Sequence, residues 1–300
     1  MNGSWLPVIV CCGLSFAEPQ AEESGYRVSA SVENVVLPVT VLDRKGEFVP
    51  GLAAENFAVF EEGRPQQIRH FSHRDIPVTI GIVVDSSGSM RSKRNDTVLA
   101  ALHFLRVSNP EDEVFVVNFN ESVTFGLGDA EAFTNESTRL RDALLARPCS
   151  GKTALYDALT AALKRLAGGS RDKKALILVS DGGDNASGAR FEDVLELARK
   201  SDALIYTIGL FAEDDPDRNP GVLKKLAKAT GAEVYLPRDT TELKGIAEHI
   251  AGDLRNQYTL VYVPAAHERT GEYRRIQVTA AAPGLGKLSV RTRPGYYTAP

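Results

Sequence analysis

Val78-Thr79-Ile80-Gly81-Ile82-Val83-Val84-Asp85-Ser86-Ser87-Gly88-Ser89-Met90 is the stretch on which the fold turns. The run Val78–Val84 is almost wholly apolar and rich in β-branched residues. Such a run reads as a strand buried on both faces, as in a parallel sheet covered by helices. It breaks directly into Asp85, Ser87 and Ser89. These residues then lie on a loop at the carboxyl end of the strand, the edge at which open α/β sheets bind ligands. Gly88 lets the chain bend there. Taken alone, the loop would be an ordinary strand-end turn whose side chains cap backbone groups.

The same grammar continues downstream. Apolar runs at Val114–Phe119, Ala175–Val179 and Ala203–Ile208 alternate with helical periods. Val98, Leu102 and Leu105 mark one helix; Leu155, Leu159, Ala162, Leu163 and Leu166 mark another, stopped by Gly168-Gly169. Val194, Leu195 and Ala198 mark a third. Leu243, Ile246, Ala247, Ile250 and Leu254 mark the last, with Asp239 and Glu242 placed to cap its start. The order predicts a doubly wound, mostly parallel α/β sheet with helices on both faces over residues 78–252. The flanks read differently. In 27–74, Val35–Leu42 is β-rich and ends in the turn Asp43–Gly46, and Phe57–Phe60 with Gln67–Phe71 reads as a hairpin about Glu62-Gly63. In 256–297 alternation returns, as in Tyr258, Leu260 and Tyr262. Isolated hairpins are marginal, so the two flanks are expected to pair into a small β-sandwich with the α/β domain inserted between them.

A second strand edge carries Asp181-Gly182-Gly183-Asp184 directly after Ser180. Thr153, in Gly151-Lys152-Thr153, precedes the Leu155–Leu166 helix and is a natural N-cap. Together Asp85, Ser87, Ser89, Thr153 and Asp181 offer two carboxylates and three hydroxyls. These hard oxygen donors suit Mg²⁺, Mn²⁺ or Ca²⁺ rather than zinc. With so little ligand charge, the ion would keep an affinity for one more anionic oxygen, such as a Glu or Asp carboxylate of a partner protein. Asp184 and Asn185 read as surface loop residues. Asn118 could lie near the site, and Arg91, Lys93 and Arg94 read as a solvated helix start or part of a rim.

The series Asp85-x-Ser87-x-Ser89, Thr153 and Asp181 resembles the metal-ion-dependent adhesion site of von Willebrand factor type A domains, and the resemblance covers roughly Val78 to Gly252. It implies a Rossmann-like fold in which the two Ser and the Thr meet the metal directly or through water. The two Asp often act through water, and a carboxylate from a protein ligand completes the shell. Asn56–Phe60 and the closing Arg293-Pro294-Gly295-Tyr296-Tyr297 resemble a bacterial subgroup of secreted A-domain proteins.

Composition agrees with a globular chain: 300 residues, 43% hydrophobic, 25% charged. A net charge of −4 gives no nucleic-acid footprint. Trp5–Ala17 is uncharged but too short to span a bilayer. Residues 1–17 read as a signal peptide with Ser15-Phe16-Ala17 before the cut, although no Lys or Arg precedes Trp5. Residues 18–26 read as a flexible tail. The expected location is therefore secreted, periplasmic or cell-envelope, without direct membrane insertion after signal removal. Cys11 and Cys12 would leave with the leader, so Cys149 has no disulfide partner. Ala146–Thr153 ends like a phosphate-binding loop but lacks its first Gly. Ser87 and Ser89 stand in no G-x-S-x-G elbow, and the five His have no ligand spacing. The chain therefore reads as a cation-dependent protein-binding module, not an enzyme. The alternatives are a structural subunit of a secreted or envelope assembly, and a metal-assisted hydrolase whose one candidate base is Asp184.

Overall fold

The computed structural model describes Met1 and residues 34–128, 131–211, 216–264 and 271–298. Met1 apart, the expected leader and tail, with residues 27–33, lie outside the described residues.

The described chain opens with strands β1 (Val35–Leu42), β2 (Phe57–Glu61), β3 (Arg64–Gln66) and β4 (Ile68–Ser72). The helical body follows as β5 (Val78–Asp85), α1 (Arg94–Val107), β6 (Glu113–Phe119), β7 (Val123–Phe125), α2 (Ser137–Leu145), α3 (Leu155–Ala167), β8 (Lys173–Ser180), α4 (Phe191–Lys200), β9 (Leu204–Gly209), α5 (Pro220–Thr230), β10 (Val234–Tyr235) and α6 (Leu243–Arg255). Strands β11 (Tyr258–Tyr262), β12 (Tyr273–Ala280), β13 (Ser289–Arg291) and β14 (Gly295–Tyr297) close it.

The body is a six-stranded sheet in the order β10-β9-β8-β5-β6-β7, parallel except for the edge pair β6–β7. All eight residues of β5 are buried. Their side chains alternate between two cores. Ile80, Ile82 and Val84 pack with α1, α2 and α6, whereas Val83 packs with α3, α4 and α5. Gly81 is needed for this packing, because a Cβ there would lie 2.4 Å from the Phe115 ring.

The flanks pair with each other across the inserted body. β1 runs antiparallel to β11 and β13, and β11 to β4, giving the sheet β13-β1-β11-β4. β12 runs antiparallel to β2 and β14, giving β14-β12-β2-β3. Inward residues of both sheets share one core. The Tyr262 hydroxyl, from one sheet, donates to the buried Glu61 carboxylate of the other at 2.7 Å.

One local expectation is corrected. The hairpin about Glu62-Gly63 does form, with positive φ at both residues, but β2 pairs with Arg64–Gln66. The segment expected as its second arm crosses to the other sheet, where Phe71 stacks on Tyr258 of β11. There Phe71 also packs against the sandwich core.

The sandwich is fastened to the body through Asp253 of α6, which is fully buried. Its carboxylate accepts from Thr40 of β1 and Tyr206 of β9, and pairs with Arg291 of β13. Arg291 also pairs with Glu233, and Arg293 pairs with Asp202. Removing Asp253 leaves the buried Thr40 and Tyr206 hydroxyls without their acceptor, while Arg291 keeps Glu233 as a partner. Asp253→Ala should therefore destabilise by about 2–4 kcal/mol in urea unfolding, and adding Arg291→Met, which orphans Glu233, should not recover that loss.

Candidate functional site

β5 and β8 are neighbours in register, and both end at the same sheet edge. This places Asp85, at the last position of β5, beside Ser180, the last residue of β8, and next to Asp181. The first loop is held from three sides. Ser86 donates its N–H to Phe119 O at 2.6 Å, Ser150 N–H donates to Ser86 O at 2.9 Å, and Gly88 N–H donates to Gly151 O at 3.3 Å.

Four of the five candidate ligands form one hydrogen-bonded string. Asp85 Oδ1 accepts from Ser87 N–H at 2.8 Å and Oδ2 from the Ser180 hydroxyl at 2.7 Å. The Ser87 and Ser89 hydroxyls lie 3.1 Å apart, and Ser89 Oγ donates to Asp181 Oδ2 at 2.6 Å. Asp181 Oδ1 accepts from Gly183 N–H at 2.9 Å. Asp85, Ser87 and Asp181 are buried, and Ser89 is half-buried.

Thr153 is brought to the same edge by its backbone. Its N–H donates to Asn185 Oδ1 at 2.9 Å, its carbonyl accepts from Asn185 N–H, and Asn185 Nδ2 donates to Asp217 at 2.8 Å. The expectation that Thr153 caps α3 is corrected. The N-cap is Ala154, and the first N–H groups of α3 are met by Ser187 Oγ and Asp184 Oδ1. A loop two elements away supplies the cap, because Asn185 and Ala186 N–H both donate to Thr153 O and draw that loop in. The Thr153 hydroxyl makes no hydrogen bond among the described residues, so it is available to a ligand.

Several neighbours differ from the sequence reading. Asn118, level with Val84 on the neighbouring strand, is fully buried and spends its amide N–H on Ala143 O of α2. Asn120 does the local work, donating to Ser150 O and accepting Ala154 N–H on its own carbonyl. Lys93 and Arg94 are more engaged than a solvated helix start, donating to Leu210 O and Leu144 O, whereas Arg91 is exposed and reaches Cys149 O only at 3.3–3.4 Å. The roles of Asn120, Asn185 and Asp217 are not legible in the sequence because each acts through a contact distant along the chain. Only Ser180, adjacent to Asp181 at a strand end, carried a local signal.

The electrostatics fit a cation. Burial pushes the Asp85 carboxyl up to about 6, and the nearby Asp181 charge adds to the rise, while hydrogen bonds from Ser87 and Ser180 oppose it. Among the described residues no group of three or more His, Cys, Asp or Glu forms a metal cluster. The donor set here is instead two carboxylates that repel each other, plus hydroxyls. A hard divalent ion is the chemistry that would relieve that repulsion.

An open parallel sheet with a carboxylate and hydroxyl edge defines a class: an α/β domain built to present an oxygen-lined site on its loops. The von Willebrand factor type A domain model matches residues 79–249, and the chain belongs to that family. Domains of this family generally mediate protein–protein interaction or adhesion, and commonly bind a divalent metal. Among solved structures, the fold is similar to a von Willebrand factor type A protein from Catenulispora acidiphila, with TM-score 0.54, 14% identity, and 90% of this chain and 75% of that chain covered. It is also similar to the vWF domain of the type V pili tip protein Mfa5 from Porphyromonas gingivalis, with TM-score 0.50, 14% identity, and 59% and 95% covered. At such identity these likenesses concern the fold. No curated protein matches the chain.

Without an ion, the site should weaken the fold. A carboxyl whose pKa is raised on folding lends stability below 3.8 that is lost as pH rises through about 6. In chelator at pH 7, Asp85→Asn should exceed the native chain by about 1–3 kcal/mol in urea unfolding. That advantage should vanish by roughly pH 4.

Proposed function

We propose that this chain is a divalent-cation-dependent protein-binding module of the adhesion type. Asp85, Ser87, Ser89, Thr153 and Asp181 hold the ion: Mg²⁺, or Mn²⁺ or Ca²⁺ in its place. The ion takes a Glu or Asp carboxylate of a partner protein as a further ligand. The observation that carries the reading is the string Asp85–Ser87–Ser89–Asp181, in which the Ser87 amide and the Ser87 and Ser89 hydroxyls link two buried carboxylates at a loop edge. Two carboxylates only just neutralise a divalent ion. Its remaining positions then favour an incoming anionic oxygen over another neutral group.

The rival hydrolase reading needs a general base beside the ion. Its candidate, Asp184, is engaged at the start of α3, accepting from Tyr156 N–H and the Ser187 hydroxyl. That engagement favours binding over catalysis. A secreted or envelope location accords with the reading, and no described helix is long and apolar enough to cross a membrane.

The test is calorimetric titration of Mg²⁺ and Mn²⁺ into metal-stripped protein. One saturable site is expected, abolished in Asp85→Ala and Thr153→Ala and retained in Thr153→Ser, with unchanged circular dichroism. Asn185→Ala, which removes the group orienting Thr153, should weaken binding by roughly 10–100-fold. Undiminished affinity in Asp85→Ala would sink the assignment. If the ion only holds the loops together, chelation will lower stability and leave partner capture unchanged.

A further inference from the structure

The segment that carries Thr153 is held from outside itself. Four backbone N–H groups between Ser150 and Ala154 find acceptors elsewhere in the chain. Ser150 donates to Ser86 O at 2.9 Å, Thr153 to Asn185 Oδ1 at 2.9 Å, and Ala154 to Asn120 O at 2.6 Å. The fourth, Lys152, donates to Glu121 Oε2 at 2.9 Å. Glu121 alone among these acceptors is a carboxylate, and the cation reading gives it no part.

Glu121 stands in the turn between β6 and β7, on a base that other contacts fix. Asn120 Oδ1 accepts Ser122 N–H at 3.1 Å and Asn120 N–H donates to Ser122 O at 3.2 Å, which closes the turn. Arg147 joins this turn to the chain ahead of Thr153, donating to Ser122 Oγ at 2.8 Å and to Thr124 Oγ1. Asn120 Nδ2 adds a bond to Ser150 O at 3.1 Å. The Glu121 backbone is therefore held without help from its own side chain. Its carboxylate lies against Gly151. The φ of that residue is +76°, and a Cβ there would fall on the Glu121 carboxylate oxygens. A side chain at 151 would thus displace the carboxylate from the Lys152 amide. Gly151 also meets the first cation loop, since its carbonyl accepts Gly88 N–H at 3.3 Å.

Glu121, Gly151 and Lys152 are all exposed. Water can take over the Lys152 amide if the carboxylate is removed, so no buried donor is orphaned. What is lost is the fixed orientation of the residue next to Thr153. Groups that orient a ligand without touching the ion act on the affinity for that ion. An exposed one has little stability to contribute.

We propose that Glu121 is a positioning residue for the cation site. Its carboxylate fixes the Lys152 amide, and so keeps the adjacent Thr153 hydroxyl at the shared edge before the ion arrives. The inference rests on the cation-binding reading above, and it gives Glu121 no direct contact with the ion.

The test uses the full chain, with Glu121→Ala and Glu121→Gln beside the native protein. Hydrogen exchange is followed across residues 150–154 in chelator, and Mg²⁺ uptake by calorimetry. Glu121→Ala should speed exchange at Lys152 and weaken Mg²⁺ uptake roughly three- to tenfold, with an unchanged urea midpoint. Glu121→Gln keeps an acceptor of the same reach and should restore most of both. Equal loss of affinity in the two variants would overturn the proposal, because Glu121 would then act as a distant negative charge. A fall in urea stability matching the loss of affinity would overturn it by making Glu121 a general prop of the fold. So would native exchange rates in Glu121→Ala. Mg²⁺ uptake that Glu121→Ala leaves unchanged would remove this inference alone, whereas no uptake by the native chain would remove the cation reading and this inference with it.

Discussion

β5 is hydrogen-bonded to β8 on one side and β6 on the other, and it is buried along its whole length. The helices on both faces are placed by the side chains this strand sends to them, and Gly81 sets how closely Phe115 and Leu176 approach. Because β5 and β8 are parallel and in register, their carboxyl ends arrive together. Asp85, Ser180 and Asp181 therefore meet as a consequence of core packing. The loops vary around that fixed edge, as in open α/β sheets generally.

The edge is organised at a cost to the fold. Two buried carboxylates close enough to disfavour each other's charge would not be kept for stability alone. The surrounding groups limit that cost without cancelling it. Ser87 N–H, the Ser180 hydroxyl and Gly183 N–H satisfy carboxylate oxygens, while Asn185 and Asp217 fix the Thr153 segment. Under the cation-binding reading proposed above, oxygen donors held by backbone and neighbouring loops would need little rearrangement, which is what preorganisation requires of a binding site.

The β-sandwich is more than an appendage of this body. α6 leads within two residues into β11, and its buried Asp253 is gripped by β1, β9 and β13 at once. Phe48, from the β1–β2 connection, stacks on His249 of the same helix. Gly231 is equally constrained, since a Cβ there would meet the Thr292 and Arg293 backbone at about 2.3 Å. Sandwich and body thus share one helix through polar contacts that only their joint fold can satisfy.

The sequence by itself determined the alternation of buried strands and amphipathic helices, the edge carrying Asp85, Ser87, Ser89 and Asp181, and the mutual pairing expected of two β flanks too small to stand alone. These follow from local periodicity and from the rule that ligands collect at strand ends, and both are written in consecutive residues. Tertiary structure alone decided how Thr153 is used. A hydroxyl before a helix looks like its cap until the Asp184–Ser187 loop folds over and takes that role. It likewise decided that Lys93 and Arg94 tie loops together, and that β4 leaves its hairpin for the other sheet. It also decided that Asn120 and Asn185, not Asn118, organise the edge. For the polar side chains the physical reason is shared. A side chain that hydrogen-bonds to a partner thirty or more residues away leaves no periodic trace, so its role appears only when the fold brings the two together.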